Sequence, residues 1–176
     1  MGSPSAPAHV GLIPQEVFLF TGSVEENLRL GHAGAVTAAD LERAVIAANA
    51  GRLLETLPGG LGAEIRERGA NLSQGQRQLL AIARALVYNP LVLALDEATS
   101  SVDPESEALI REGLARLLEG RTSVIIAHRL STIQQADRIL VFQRGQVRES
   151  GRHGELVMRG GLYSRLYELQ FGFARS

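Results

Sequence analysis

The 176 residues contain no cysteine and no lysine. Without cysteine, disulfides, thiol catalysis and thiolate metal sites are excluded. Without lysine, all 18 basic residues are arginine. Schiff-base chemistry and the lysine of a phosphate-binding P-loop are therefore excluded. Long apolar runs are lacking too. The longest uncharged apolar stretch, Ala85 to Leu95, has 11 residues and is broken by Asn89-Pro90, whereas a membrane-spanning helix needs ~20. The opening MGSPSAPA has neither a basic nor an apolar signal region, and residues 1–9 are expected to be a disordered leader. There is no excess of one charge: 18 basic against 19 acidic residues give −1. That excludes a generic polyanion binder, and no nucleic-acid partner is expected. The charge is uneven, however. Residues 1–120 hold 9 arginines and 15 acids, net −6; residues 121–176 hold 9 arginines and 4 acids, net +5.

The remaining composition is globular: 45% hydrophobic and 21% charged residues in 18.9 kDa, enough for one domain or two small lobes. His9 to Ile13 reads as a strand stopped by Pro14. Ser23-Val24-Glu25-Glu26 fits a capping box opening a short helix to Leu30. Thr37 caps a helix to Ala50, and Arg52 to Leu57 adds a turn before Pro58-Gly59-Gly60. Ser73 caps a helix over 74–87. From residue 91 the pattern changes to apolar runs of strand length at 91–95, 122–127 and 138–142, with helices at 104–119 and 131–136. A fourth strand, 147–150, follows the Arg144-Gly145-Gln146 turn, and helices at 153–159 and 162–170 close the chain. Strands alternating with helices predict an α/β fold with a parallel sheet covered on both faces.

Several residues in this frame can carry chemistry. Asp96 and Glu97 follow an apolar strand, at the edge where open α/β sheets bind ligands; one carboxylate can hold Mg²⁺ and the other orient a water. A strand that ends in a polar loop explains them equally. His128 ends the next strand and can donate to a phosphate oxygen, or simply be a loop histidine. Asn71-Leu72-Ser73-Gln74-Gly75-Gln76 opens a helix with a hydroxyl, a glycine and exposed N–H groups, a phosphate site by type. A plain Ser73/Gln76 capping box accounts for the same residues. Gln15, at a strand exit, is a weak signal alone.

Their order and flanks are distinctive. PQEVFLFTGSVEENL, ERGANLSQGQRQLLAIARAL, LVLALDEATSSVD and IIAHRLSTI occur in one chain, which resembles the ATP-binding cassette (ABC) family, exporter type, over roughly residues 10–171. The resemblance implies a partial P-loop NTPase core with a helical signature subdomain: Q-loop and helical part 14–90, core 91–150, C-terminal helices 151–171. It implies that Asp96 holds Mg²⁺ through water and that Glu97 is the general base. His128 and Gln15 would contact the γ-phosphate side, Gln15 also lying near the metal. Ser73, Gly75 and Gln76 would clamp ATP on the opposite subunit of a head-to-tail dimer. Asp103, in the D-loop Ser101-Val102-Asp103, would couple the two sites. Gln74 stands where many members have glycine. Glu67-Arg68-Gly69 matches a segment that touches the transmembrane domains. The implied partners are those domains and a second nucleotide-binding domain, on the cytosolic side of a membrane.

The family's G-x-x-x-x-G-K-[S/T] loop and its upstream adenine-stacking aromatic are not among these residues. The chain therefore looks like the second half of a nucleotide-binding domain. The family's P-loop strand lies between the strand ending at His128 and the strand 138–142. Without it, 138–150 is expected either to detach or to slide in beside 122–127. Three functions compete: the later part of an export ATPase, weak or inactive alone; a non-catalytic module lending its signature motif to a complete partner; and a truncated inactive product. DNA-repair relatives are disfavoured by Phe18-Leu19-Phe20 and Glu67-Arg68-Gly69, which look like transmembrane-coupling segments.

Overall fold

The computed structural model describes residues 10–30, 36–96, 102–127 and 130–172, in two compact units that divide after Ile126. The expected leader 1–9 lies outside the described residues. In the first unit the order is β1 (Val10–Ile13), β2 (Gly22–Ser23), α1 (Val24–Arg29), α2 (Ala38–Ala47), α3 (Gly51–Thr56), β3 (Glu64–Ile65), α4 (Gln74–Tyr88), β4 (Val92–Asp96), α5 (Pro104–Leu118) and β5 (Thr122–Ile126). The second carries α6 (Leu130–Gln135), β6 (Ile139–Gln143), β7 (Gln146–Gly151), α7 (His153–Met158) and α8 (Leu162–Phe171).

The helix starts are where the polar residues put them. Ser23 with Glu26, Thr37 with Asp40 and Ser73 with Gln76 each form reciprocal capping boxes. Asp103 caps α5, with Pro104 in its first turn. Each box satisfies N–H groups that a helix cannot pair internally.

In the first unit, β1, β4 and β5 pair in that order, all parallel, with Ile13, Leu95 and Ile125 in register. One face carries Leu93 and Leu95, both buried, and joins a single core with Leu79, Leu80 and Ile82 of α4 and Ile110 and Leu117 of α5. The opposite face carries Leu12 and Val124, 70% and 63% exposed, with Val10 and Ile126 similarly open. The expectation of cover on both faces thus holds for one face among the described residues, because α4 and α5 contribute to the same core. Arg116 of α5 ties the end of α2 to this core, donating to the Ala47 carbonyl at 3.0 Å and to Asn49 Oδ1 at 2.8 Å. The Ala47 carbonyl, at the last residue of α2, is one of those that a helix cannot pair internally.

The third strand after residue 90 departs from the simple alternation. β6 pairs antiparallel with β7 in a sheet of their own and does not extend the parallel one. Of the two expected outcomes for 138–150, the separate hairpin is the one formed. Arg144 and Gly145 both have positive φ, 52° and 75°, the backbone of a tight two-residue hairpin whose twist matches its strands, and this turn pairs β6 with β7.

The second unit has a small core of Val141, Leu156 and Tyr163, flanked by Ile133, Ile139 and Tyr167. His153 Nδ1 lies 2.7 Å from the Tyr163 hydroxyl. Burial, and then the neighbouring Tyr167, raise the Tyr163 phenol above its ordinary pKa. Glu149 of β7 caps α8 from across the hairpin, accepting from the N–H groups of Leu162 and Tyr163 at 2.6 and 3.0 Å. Glu149→Ala should cost this unit about 1–2 kcal/mol. Amide exchange checks it: faster exchange at Leu162 and Tyr163, with the first unit unchanged.

Candidate functional site

The expected residues that the structure describes fall into two groups, one at the strand exits and one at a helix start. Because β1, β4 and β5 run the same way, their exits share an edge. Asp96 is the last residue of β4, half-buried, and Gln15 follows the end of β1 past Pro14, exposed to solvent. Glu97 and His128 lie outside the described residues. Among those described, no three His, Asp or Glu residues cluster as a metal site.

The second group is the start of α4. At its other end, Tyr88 leads through Asn89-Pro90 into β4. Ser73 Oγ accepts from the Gln76 N–H at 3.2 Å, and Gln76 Oε1 accepts from the Ser73 N–H at 2.8 Å. Gly75 is buried against the first turn of α5: a Cβ there would stand 2.7 Å from Ser106 Cβ and 3.3 Å from Val102 Cγ1. Only glycine allows the approach. It sets the α4 N-terminus beside that of α5, where Asp103 Oδ1 accepts from the Ser106 N–H at 2.9 Å. That main-chain bond, and then the Ser106 hydroxyl, hold the Asp103 carboxyl below its ordinary pKa. The two helix starts differ in charge: α5 carries its Asp103 cap with Glu105 and Glu107 in the first turn, whereas α4 has no acid there and keeps the character of an anion-facing end.

Beside α4, Glu67-Arg68-Gly69 form a 3₁₀ turn in which Arg68 takes a left-handed backbone, φ 55°. Arg77 of α4 holds this turn through the carbonyls of Leu72 and Gly69, at 2.9 and 3.3 Å. On the loop after Gln15, Leu19 is fully buried while Phe18 and Phe20 point out, edge to face with centroids 4.8 Å apart. The reading of the sequence passed over Arg77, Arg84 and Asn27, which fix these two segments. The signal for Arg84 was available: a lone charge within the apolar run LLAIARAL.

Comparison with known proteins gives a consistent picture. The sequence profile of the family described as "ABC transporter" matches residues 2–100. The chain is 48% identical over 168 residues to the uncharacterized ABC transporter ATP-binding protein YwjA of Bacillus subtilis, covering 96% of this chain and 29% of that protein. It is 50% identical over 163 residues to the ATP-dependent lipid A-core flippase of Chromobacterium violaceum, covering 93% of this chain and 28% of the flippase. The structure of a bacterial Atm1-family ABC exporter with ATP bound superposes with a TM-score of 0.82 at 38% identity, covering 93% of this chain and 28% of the exporter. The chain therefore spans less than a third of the length of these relatives.

Gly75→Ala should drive α4 from α5 and lower the stability of the first unit by about 1–3 kcal/mol in urea unfolding. Adding Ser106→Gly should recover part of the loss by removing the clashing Cβ. The Asp103 cap has a definite pH sign. Its folded pKa lies below the ordinary 3.8, so its contribution is present above that value and is lost as pH falls through the lowered one. Exchange at the Ser106 amide should rise in that acid range, and Asp103→Asn should remove the dependence while keeping the cap.

Proposed function

Because the chain belongs to the ABC transporter family, we propose that it is the later part of the ATP-hydrolysing domain of an exporter, working on the cytosolic side of a membrane complex. One observation carries this reading. The signature residues open α4 beside the start of α5, and the parallel strands β1 and β4 release Gln15 and Asp96 at a shared edge. The acid-free α4 start suits the phosphates of one nucleotide, and Asp96 offers a carboxylate to the metal of another.

The residues suit ATP with Mg²⁺. Asp96 as a lone carboxylate and Gln15 as an amide oxygen fit a metal that keeps most of its waters. When bound, Mg²⁺ neutralises phosphate charge. Glu97 takes the proton of the attacking water, and His128 and Gln15 bind the γ-phosphate side. Ser73, Gly75 and Gln76 face ATP held by a second nucleotide-binding domain. The Ser73 hydroxyl accepts from Gln76 yet keeps its own proton to donate, so the clamp can form without breaking the helix cap. Asp103 links the two sites. The lysine that cradles phosphates is not among these residues and must come from another segment or chain. The open sheet face at Leu12 and Val124 supports the same conclusion, since parallel sheets are normally covered on both faces.

A second reading, a module that lends its signature turn to a complete partner, is favoured by the exposed Ser73 and the lack of lysine. ATP turnover separates the two when the chain is measured alone and mixed with the complete nucleotide-binding domain of the flippase relative. Alone, we expect no turnover above that of Glu97→Gln. In the mixture, turnover that rises, and that Ser73→Ala lowers about tenfold or more, supports signature donation. A further fall with Glu97→Gln supports participation of this chain's own site. Glu97-dependent turnover by the chain alone would overturn the need for an outside lysine.

A further inference from the structure

Arg84 is half-buried in α4, and burial lowers its pKa from the ordinary value. Its guanidinium makes no hydrogen bond to a carboxylate among the described residues. Instead Nε donates to the Asn27 carbonyl at 2.9 Å, Nη1 to the Phe18 carbonyl at 3.1 Å and Nη2 to Asn27 Oδ1 at 3.2 Å. Asn27, itself 2% exposed, passes the contact on. Its Oδ1 accepts from the Phe20 N–H at 2.9 Å, and its Nδ2 donates to the carbonyls of Phe20 and Ser23 at 2.8 and 3.1 Å. The main chain of Phe20 is thus paired on both sides by a side-chain amide, as a neighbouring strand would pair it.

Burying a charge costs several kcal/mol unless its bonds are well made, and an apolar residue would fill the same space at less cost. A three-pronged cation at this position does something that packing cannot. It fixes a loop whose residues have no strand partner to a helix that has one end in the signature turn. Arg84 lies eleven residues from Ser73, about 16 Å along α4. Between the two the helix is buried by Leu79, Leu80, Ile82 and Ala83, so it moves as a rod. With Leu19 anchored in the core, the main chain of Phe18 and Phe20 is held by Arg84 and Asn27, while the two rings pack edge to face on each other.

We propose that Arg84 is a positioning residue that locks the aromatic loop Phe18–Phe20 to the signature helix, so that a displacement at the Ser73–Gln76 end is delivered to the exposed phenylalanines. Its use in transport rests on the function proposed above; the linkage itself does not. The test therefore uses neither nucleotide nor membrane partner. The chain has no tryptophan, so Phe18→Trp provides a single fluorescent reporter in the full 176-residue protein. Gly75→Ala displaces the far end of α4 through its contact with Ser106. That substitution should shift the emission of the Phe18→Trp reporter and raise exchange at the Phe20 amide by about tenfold. With Arg84→Lys also present, the point charge cannot bridge all three acceptors, and Gly75→Ala should no longer move the reporter.

An equal shift in both backgrounds, or none in either, would overturn the linkage. So would a uniform loss of protection throughout the first unit in Arg84→Lys, since Arg84 would then serve only stability. If Arg84→Lys does not fold, Asn27→Asp replaces it. That change keeps an acceptor for Arg84 and removes both donors to the Phe20 and Ser23 carbonyls; loss of transmission is expected, and unchanged transmission would overturn the proposal. A negative result leaves the reading of the signature turn intact, because ATP turnover tests that separately.

Discussion

The first unit depends on the burial of α4. Leu79, Leu80, Ile82, Ala83 and Val87 are all buried, and α1, α2, α5 and β1 pack around the helix. A helix surrounded in this way cannot rotate or slide without opening the core on several sides at once. Its position fixes the positions of everything attached to it. Ser73 and Gln76 present the N-terminus, Arg77 holds the 3₁₀ turn, and Arg84 reaches the aromatic loop. Polar residues thus take their bearings from an apolar rod.

The exits of the parallel sheet follow simpler rules. Parallel strands release their loops on the same side, so the ends of β1 and β4 share an edge. Gly75 lets α4 and α5 touch where they begin. What the 176 residues do not provide is a lysine, and the function proposed above leaves that contact to another segment or chain.

The two units follow different physical solutions. The first buries a parallel sheet against helices on one side. The second builds a hairpin whose turn closes within two residues, then caps and covers it with α7 and α8. Its core is small, so polar contacts such as Glu149 with the start of α8 and His153 with Tyr163 count for more there.

Much of this was legible in the residues. The caps at Ser23, Thr37, Ser73 and Asp103 depend on bonds spanning three residues, and such short-range chemistry is written in sequence order. The apolar strands read at 91–95 and 122–127, and the family likeness of the motifs around Gln15, Ser73 and Asp96, were legible for the same reason. Other features depended on partners far apart in the chain. Arg84 meets Asn27 and Phe18 across 57 and 66 residues, and no local pattern announces such a pair. Gly75 reads as part of a phosphate-type helix opening, and only the fold sets Ser106 against it. The strand at 138–142 and its Arg144-Gly145-Gln146 turn are legible, yet whether that hairpin joins the parallel sheet depends on strands far away in the chain. Sequence alone determines what each segment can form and which groups it can offer. Only the tertiary structure decides which of those offers are taken up, because the cost of burying a charge, a sheet face or an amide depends on what stands on the other side.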